Sequence, residues 1–231
     1  MDIKVLGSSS RGNAYLLSDG ETTILIECGL QYAELRKKSN FAIPNHIDGC
    51  IVTHEHMDHA KSVNFLLQYG VDVYAPESVF KTDYARKHHR AHTINPNDES
   101  SVFDIGFLSI TAYEMYHDVP CVGYLIYSRY TDELLLFATD TRLIKYNFYN
   151  LDYIMIEANY DIDLVENDTQ LARLVKSHMS IESTIHYLSN IDLSKVKAIY
   201  LMHLSSRHSN ADDFKKRVQR QTGKPTYICK E

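Results

Sequence analysis

The chain has 231 residues, 44% hydrophobic and 23% charged, which excludes disordered and fibrous classes and gives length enough for a packed core. Twenty-four Lys and Arg against 30 Asp and Glu leave a net charge of −6. That balance disfavours a surface coated for nonspecific nucleic-acid binding and leaves room for a focused site.

Taken in chain order, strand-like runs rich in β-branched and aromatic residues fall at Ile3–Leu6, Tyr15–Leu17, Thr23–Glu27, Cys50–Thr53, Leu108–Tyr113, Val122–Tyr127, Leu134–Thr139, Tyr153–Glu157, Ala198–His203 and Thr226–Cys229. Helical patterns fall at Leu30–Lys38, Ala60–Tyr69, Pro76–His88, Thr169–Lys176, Ile181–Asn190 and Ala211–Gln221. Pro76 suits a first helical turn, Gly70 a helix end and Asn210 an N-cap. Consecutive strands in the middle with βα units toward the ends predict an α+β chain of sheets covered by helices, in one domain over residues 1–231. No apolar run approaches the roughly 20 residues of a membrane span, and no apolar core follows a basic start. A cytoplasmic location with no membrane partner is therefore expected. Cysteines 28, 50, 121 and 229 are widely spaced, so neither a disulfide framework nor a thiolate zinc site is indicated.

Twelve histidines in a chain with 17 tyrosines and no tryptophan call for placement rather than counting. Thr53-His54-Glu55-His56-Met57-Asp58-His59 sits between an apolar strand and a helix, and packs four ligand-type side chains into six residues. That is more than one metal takes while keeping a position for water, so two adjacent metals are the natural solution. The bland alternative is a polar turn in which Asp58 caps the next helix. His117, Asp140 and His203 each follow another strand pattern, and together they favour the metal reading. Imidazole with carboxylate suits zinc, manganese or iron, and zinc is the expected pair of ions.

This set resembles the metallo-β-lactamase fold superfamily, whose His-x-His-x-Asp-His motif is followed by distant His, Asp and His. The resemblance spans the chain and implies a four-layer αββα sandwich with the metals at the edge between the sheets. It implies that His54, His56 and His117 hold one divalent ion, Asp58, His59 and His203 the other, and that Asp140 bridges them. His56 stands where the redox di-iron members have glutamate, so hydrolysis is expected.

Glu157-Ala158-Asn159-Tyr160 and Ser177-His178-Met179-Ser180 resemble segments of the tRNA 3′-processing endonuclease branch, in which a glutamate orients a histidine that protonates the leaving group. The implied roles are His178 as general acid held by Glu157, with Asp58 able to accept a proton from water. Against this stands a simpler reading, with Ser180 as a helix cap and His178 on the surface. His203-Leu204-Ser205-Ser206-Arg207-His208 resembles that branch's terminal motif, which puts Arg207 or His208 near the phosphate. The Gly7-Ser8-Ser9-Ser10-Arg11-Gly12-Asn13 turn and the later Glu-x-Asn and His-x-Ser segments are similar to the YycJ/WalJ group of nucleases, and bring Arg11 and Asn13 toward the site mouth. Tyr160 departs from that group's histidine.

No Gly-, Pro- and Lys-rich arm separates Asp140 from His203, so tRNA is not the expected substrate. The expected substrate is a nucleotide or nucleic-acid phosphodiester. The alternative is a cyclic mononucleotide phosphodiesterase, with His88, His89 and His92 or a tyrosine of a homodimer partner covering a small pocket. Lactone or thioester hydrolysis and a catalytically dead nucleotide-binding protein remain further readings. The basic clusters Arg86–Arg90 and Lys215–Arg217 read most simply as solvated helix faces.

Overall fold

The computed structural model describes residues 1–230. Its strands are β1 (Asp2–Gly7), β2 (Ala14–Ser18), β3 (Thr23–Ile26), β4 (Gly49–Ile51), β5 (Val73–Ala75), β6 (Ala91–Thr93), β7 (Val102–Ile105), β8 (Leu108–Met115), β9 (Cys121–Ser128), β10 (Glu133–Ala138), β11 (Tyr153–Glu157), β12 (Ala198–Met202) and β13 (Thr226–Ile228). Its α-helices are α1 (Tyr32–Lys38), α2 (Met57–Ala60), α3 (Val63–Gln68), α4 (Asp83–Lys87), α5 (Asp168–Ser177), α6 (Ile181–Ser189) and α7 (Ala211–Thr222).

Two sheets form, one of six strands in the order β1 to β6 and one of seven in the order β13 to β7. Each is antiparallel where its strands are joined by short turns and parallel where longer connections intervene, helical except for the irregular segment 139–152 between β10 and β11. Thus β1–β3 are antiparallel and β3–β6 parallel. In the other sheet β7–β10 are antiparallel and β10–β13 parallel.

Side-chain alternation divides the core into layers. Tyr15, Leu17, Ile24, Ile26 and Ile51 of the first sheet pack against Ile110, Tyr124, Leu135, Phe137 and Met155 of the second. Their neighbours Leu16, Leu25, Cys50 and Val73 turn the other way, onto Leu35, Leu66, Leu67 and Ala85 of the helices. On the far face of the second sheet, Leu136, Ile154, Ile156 and Ile199 meet Ile181, Leu188, Phe214 and Val218 of α6 and α7. The order is helix, sheet, sheet, helix, as the resemblance implies. A buried Tyr124 hydroxyl donates to the Val52 carbonyl at 2.7 Å and ties the sheets together.

Local differences from the sequence expectation have local causes. Strands β5, β6 and β7 are three or four residues long, too short for a period-2 pattern to stand out. The expected helix at Ala60–Tyr69 is broken into α2 and α3 at Ser62, whose hydroxyl donates to the Leu30 carbonyl at 2.7 Å. The Pro76–His88 pattern resolves into a short 3₁₀ turn, Glu77–Val79, and α4, whose cap Thr82 accepts from the Ala85 N–H. Asn210 caps α7, and Gly70 lies in the left-handed region just past α3. Among the described residues no helix is long and apolar enough to cross a membrane.

One buried carboxylate holds the lower rim of the second sheet. Asp152 accepts from the Leu134 N–H at 3.0 Å and forms ion pairs with Lys195 and Lys197, each at 3.0 Å. Burial alone would raise its pKa, but Lys197 and the Leu134 N–H outweigh burial and hold it below the ordinary carboxylate value. Asp152→Ala is expected to cost about 1–3 kcal/mol at neutral pH, read as a lower urea midpoint with unchanged slope. Because the folded pKa is depressed, the wild type's advantage is complete above the unfolded value of about 4 and shrinks as pH falls below it. An advantage that grows on acidification contradicts this account.

Candidate metal centre

The parallel halves of both sheets end at one rim, and the sequence places polar residues at each strand end there. His54 and His56 follow β4, Asp140 follows β10, Glu157 closes β11 and His203 follows β12. His117 follows β8, and His178 stands between α5 and α6. Crevices outside the carboxyl ends of parallel strands are the usual ligand sites of such sheets. The backbone is forced to serve this rim. Glu27, Asp140 and His203 lie in the left-handed region at φ 63°, 49° and 54°, conformations that cost non-glycine residues roughly 1–3 kcal/mol each. Gly29 is required for a different reason: a Cβ there would stand 1.7 Å from the Asp58 carbonyl oxygen. Its absence lets the Asp58–His59 turn lie on this segment, with Asp58 accepting from the Asn13 N–H at 2.7 Å and His59 from the Cys28 N–H at 2.8 Å.

The seven expected ligand side chains come together in overlapping groups whose donor atoms lie within 4.8 Å of one another. His54, His56 and His117 form one group, and Asp58, His59 and His203 another. Asp140 belongs with both sides, its Oδ2 3.2 Å from His59 Nε2 and its Oδ1 3.5 Å from His203 Nδ1. Asp140 also groups with Glu157, His178 and His203.

Hydrogen bonds behind the rings fix which nitrogens face the centre. Thr53 donates to Glu27 Oε1 at 2.6 Å, so its oxygen accepts from His54 Nδ1 at 2.8 Å and leaves His54 Nε2 as the lone-pair nitrogen. The Ser177 carbonyl can only accept, so His117 Nδ1 donates to it at 2.9 Å and His117 Nε2 is the nitrogen turned to the centre, 3.0 Å from Asp118 Oδ1. The same nitrogen lies 3.2 Å from His56 Nδ1, a close approach of two ring nitrogens that a shared cation explains. His54 Nε2 and His203 Nε2 are buried with no hydrogen-bond partner among the described residues. Orphaned imidazole nitrogens beside carboxylates are the donor set of a divalent ion such as zinc, manganese or iron, and the residues present fit two.

The electrostatics agree with this donor set. Burial, followed by the neighbouring His59, holds His54 well below its ordinary pKa and keeps it neutral. Burial works against charge on His203 as well, yet Asp140, Asp58 and Glu157 push it up to about 10. Asp140 is held well below the carboxylate range, because His203 and His59 outweigh the burial that would raise it. The carboxylates thus draw positive charge onto the rings that line them.

His178 donates from Nδ1 to Glu157 Oε1 at 2.7 Å, and its pKa is raised because Glu157 and Asp140 outweigh burial. Glu157 is itself pinned, accepting at Oε2 from the Thr141 and Met179 N–H groups at 3.1 and 3.2 Å. Ser180 does cap α6, accepting from the Ser183 N–H, and His178 nonetheless lines the site.

A cavity of about 680 Å³ opens onto this rim, lined by Ser10, His56, Asp58, His117, Asp118, Asp140, Thr169, Ala172, Arg173, Lys176, Ser177, His178 and His203. A larger cleft of about 870 Å³ includes Glu55, Lys81 and Arg86 but none of the converging ligands. Four residues expected to touch substrate fall elsewhere. Asn13 is buried, and its amide donates to the Ser9 and Asp58 carbonyls at 3.2 Å, which makes it a support for the Asp58 turn. Arg207 and His208 lie in a turn pinned by Ser205, with the His208 carbonyl accepting from the Asp161 N–H, and they do not line the cavity. Arg11 is exposed beside Ser10 but is likewise not a lining residue. His92 pairs with Asp72 at 2.7 Å, and His88 stacks on His89, so that cluster does not cover the cavity. Tyr160 is buried in a bridge to Ser180. The residues that sequence reasoning missed are Glu27 and Thr53 behind the rings and Arg173 and Lys176 at the mouth.

Residues 22–204 match the Beta-lactamase superfamily domain, a span that holds every converging ligand. The chain belongs to that superfamily. Proteins similar to it include the exodeoxyribonuclease WalJ of Streptococcus pneumoniae, 26% identical over 89% of this chain and 82% of that one. The exodeoxyribonuclease YycJ of Bacillus anthracis is 26% identical over 89% and 83%. Among solved structures, the metallo-beta-lactamase fold protein YhfI from Bacillus subtilis superposes with a TM-score of 0.73 at 18% identity, covering 99% of this chain and 95% of that chain. The short form of human tRNase Z gives 0.65 at 14% identity, covering 100% and 97%. These superpositions establish the superfamily fold, a metallo-β-lactamase αββα sandwich, for this chain.

Glu27 fixes His54 through Thr53 and lies 3.3 Å from His59 Nδ1, so it acts on both halves of the centre. Glu27→Gln is expected to weaken zinc affinity about 10–100-fold in competition with a chromophoric chelator. An unchanged affinity contradicts that role.

Proposed function

We propose that this chain is a metal-dependent hydrolase of phosphodiester bonds in a nucleotide or nucleic acid, with His178 as general acid. The observation that carries the reading is the His178–Glu157 hydrogen bond of 2.7 Å, set beside a rim of metal-type ligands. A lactone or thioester hydrolase needs the ions but no proton donor opposite them. A dead binding protein has no use for a complete donor set. The similarity to chains named as exodeoxyribonucleases supports nucleic-acid chemistry.

In this reading His54, His56 and His117 would hold one ion and Asp58, His59 and His203 the other, with the Asp140 carboxylate available to both. When bound, two divalent ions make water acidic enough to attack at neutral pH and offset charge on the phosphodiester oxygens. The protein does the rest. Asp58, partly open to the cavity, accepts the proton that the attacking water gives up. His178 gives its Nε2 proton to the departing oxygen, because Nδ1 is committed to Glu157. Glu157 keeps the ring oriented and favours its protonated form, since its own position is locked by the Thr141 and Met179 N–H groups. The Ser177 carbonyl holds His117 directly before His178, so one turn of chain positions both a ligand and the acid.

A general acid matters in proportion to the basicity of what leaves. His178→Ala is expected to slow hydrolysis of an oligonucleotide, whose leaving group is an alkoxide, by about 10²–10⁴-fold. A p-nitrophenyl ester of thymidine phosphate, whose leaving group needs no proton, should slow by less than about tenfold on the same grounds. Equal losses on both substrates would remove His178 from the acid role.

A further inference from the structure

One wall of the cavity belongs to α5. Thr169, Ala172, Arg173 and Lys176 line it at spacings of three, four and seven residues, which is a single helical face turned onto the centre. Arg173 and Lys176 are exposed, and among the described residues neither has a carboxylate within ion-pair distance. Asp118, a lining carboxylate outside the expected ligand set, lies against His117 at 3.0 Å and His56 at 3.5 Å. Two cations three residues apart, their Cβ atoms about 5–6 Å from each other, therefore face the cavity unneutralised.

A scissile phosphodiester has a single charge, and the ions expected at the ligand cluster offset it. A lone cyclic mononucleotide brings no second anion for the helix. A linear strand brings one at each neighbouring nucleotide, and lysine and arginine on such phosphates supply the bulk of affinity. We propose that Arg173 and Lys176 form a subsite for the phosphate next to the scissile one, so that the substrate is a linear polynucleotide. This rests on the phosphodiesterase reading above, and it deepens that reading by naming the substrate class.

The test uses metal-loaded full-length protein and two substrates, a single-stranded octanucleotide and bis(p-nitrophenyl) phosphate, which has no neighbouring phosphate. The double variant Arg173→Ala/Lys176→Ala should lose at least tenfold more kcat/KM on the octanucleotide than on the small diester. Binding of a fluorescent phosphorothioate octanucleotide, followed by anisotropy, should weaken. Its log–log salt slope should become shallower by about 0.7, the value for one phosphate no longer neutralised by side chains. The charge-keeping pair Arg173→Lys/Lys176→Arg should recover most of both effects. Equal losses on the two substrates, an unchanged salt slope, or wild-type activity confined to cyclic mononucleotides overturns the subsite. If the wild type hydrolyses neither substrate, the phosphodiesterase reading fails, and the salt slope alone then decides the subsite.

Discussion

Everything at the functional rim depends on one unmet demand for positive charge. Asp58, Asp140 and Glu157 converge with His54, His59 and His203, and three of the imidazole nitrogens, His54 Nε2, His59 Nδ1 and His203 Nε2, are buried with no hydrogen-bond partner among the described residues. Carboxylates cannot satisfy one another, and buried polar atoms left unpaired cost about 1–3 kcal/mol each. Without an ion the rings nearest the carboxylates take up protons: His59 is pushed well above its ordinary value and His203 up to about 10, while buried His54 stays neutral. Divalent cations would meet the same demand, and the architecture gathers donors from both sheets to present it.

That gathering explains several features that look unrelated. The left-handed backbone at Glu27, Asp140 and His203, and the glycine at position 29 on which the Asp58 turn rests, are where the chain bends to bring strand ends together. The hydrogen bonds behind the rings do the finer work, choosing Nε2 of His54 and His117 as the inward atoms. Stability for this arrangement comes from the apolar layer between the sheets, where Tyr15, Phe137 and Met155 pack. The layer leaves the rim free to hold strained and charged residues.

Much of the converging cluster was legible in the sequence, because His54, His56, Asp58 and His59 crowd a single strand-to-helix turn and the other expected ligands mark other strand ends. The pairing of His178 with Glu157 was legible by resemblance, and the two residues lie 2.7 Å apart. Glu27 was not legible, since an acidic residue closing a strand reads equally as solvated. Arg173 and Lys176 were missed because a charged stripe on a helix is ordinarily a solvent face, and only the fold turns it onto a cavity. Arg207 and His208 illustrate the reverse error: adjacency to His203 in the chain did not survive the turn that Ser205 pins. β8 carries an alternating pattern and β10 to β12 are near-continuous apolar runs, whereas β5, β6 and β7 are too short to carry either signal.

The most direct test is anomalous diffraction at the zinc edge from crystals of the zinc-loaded protein. The account predicts two peaks, one among His54, His56 and His117 and one among Asp58, His59 and His203, with Asp140 contacting both. A single peak, or peaks away from these side chains, would contradict it.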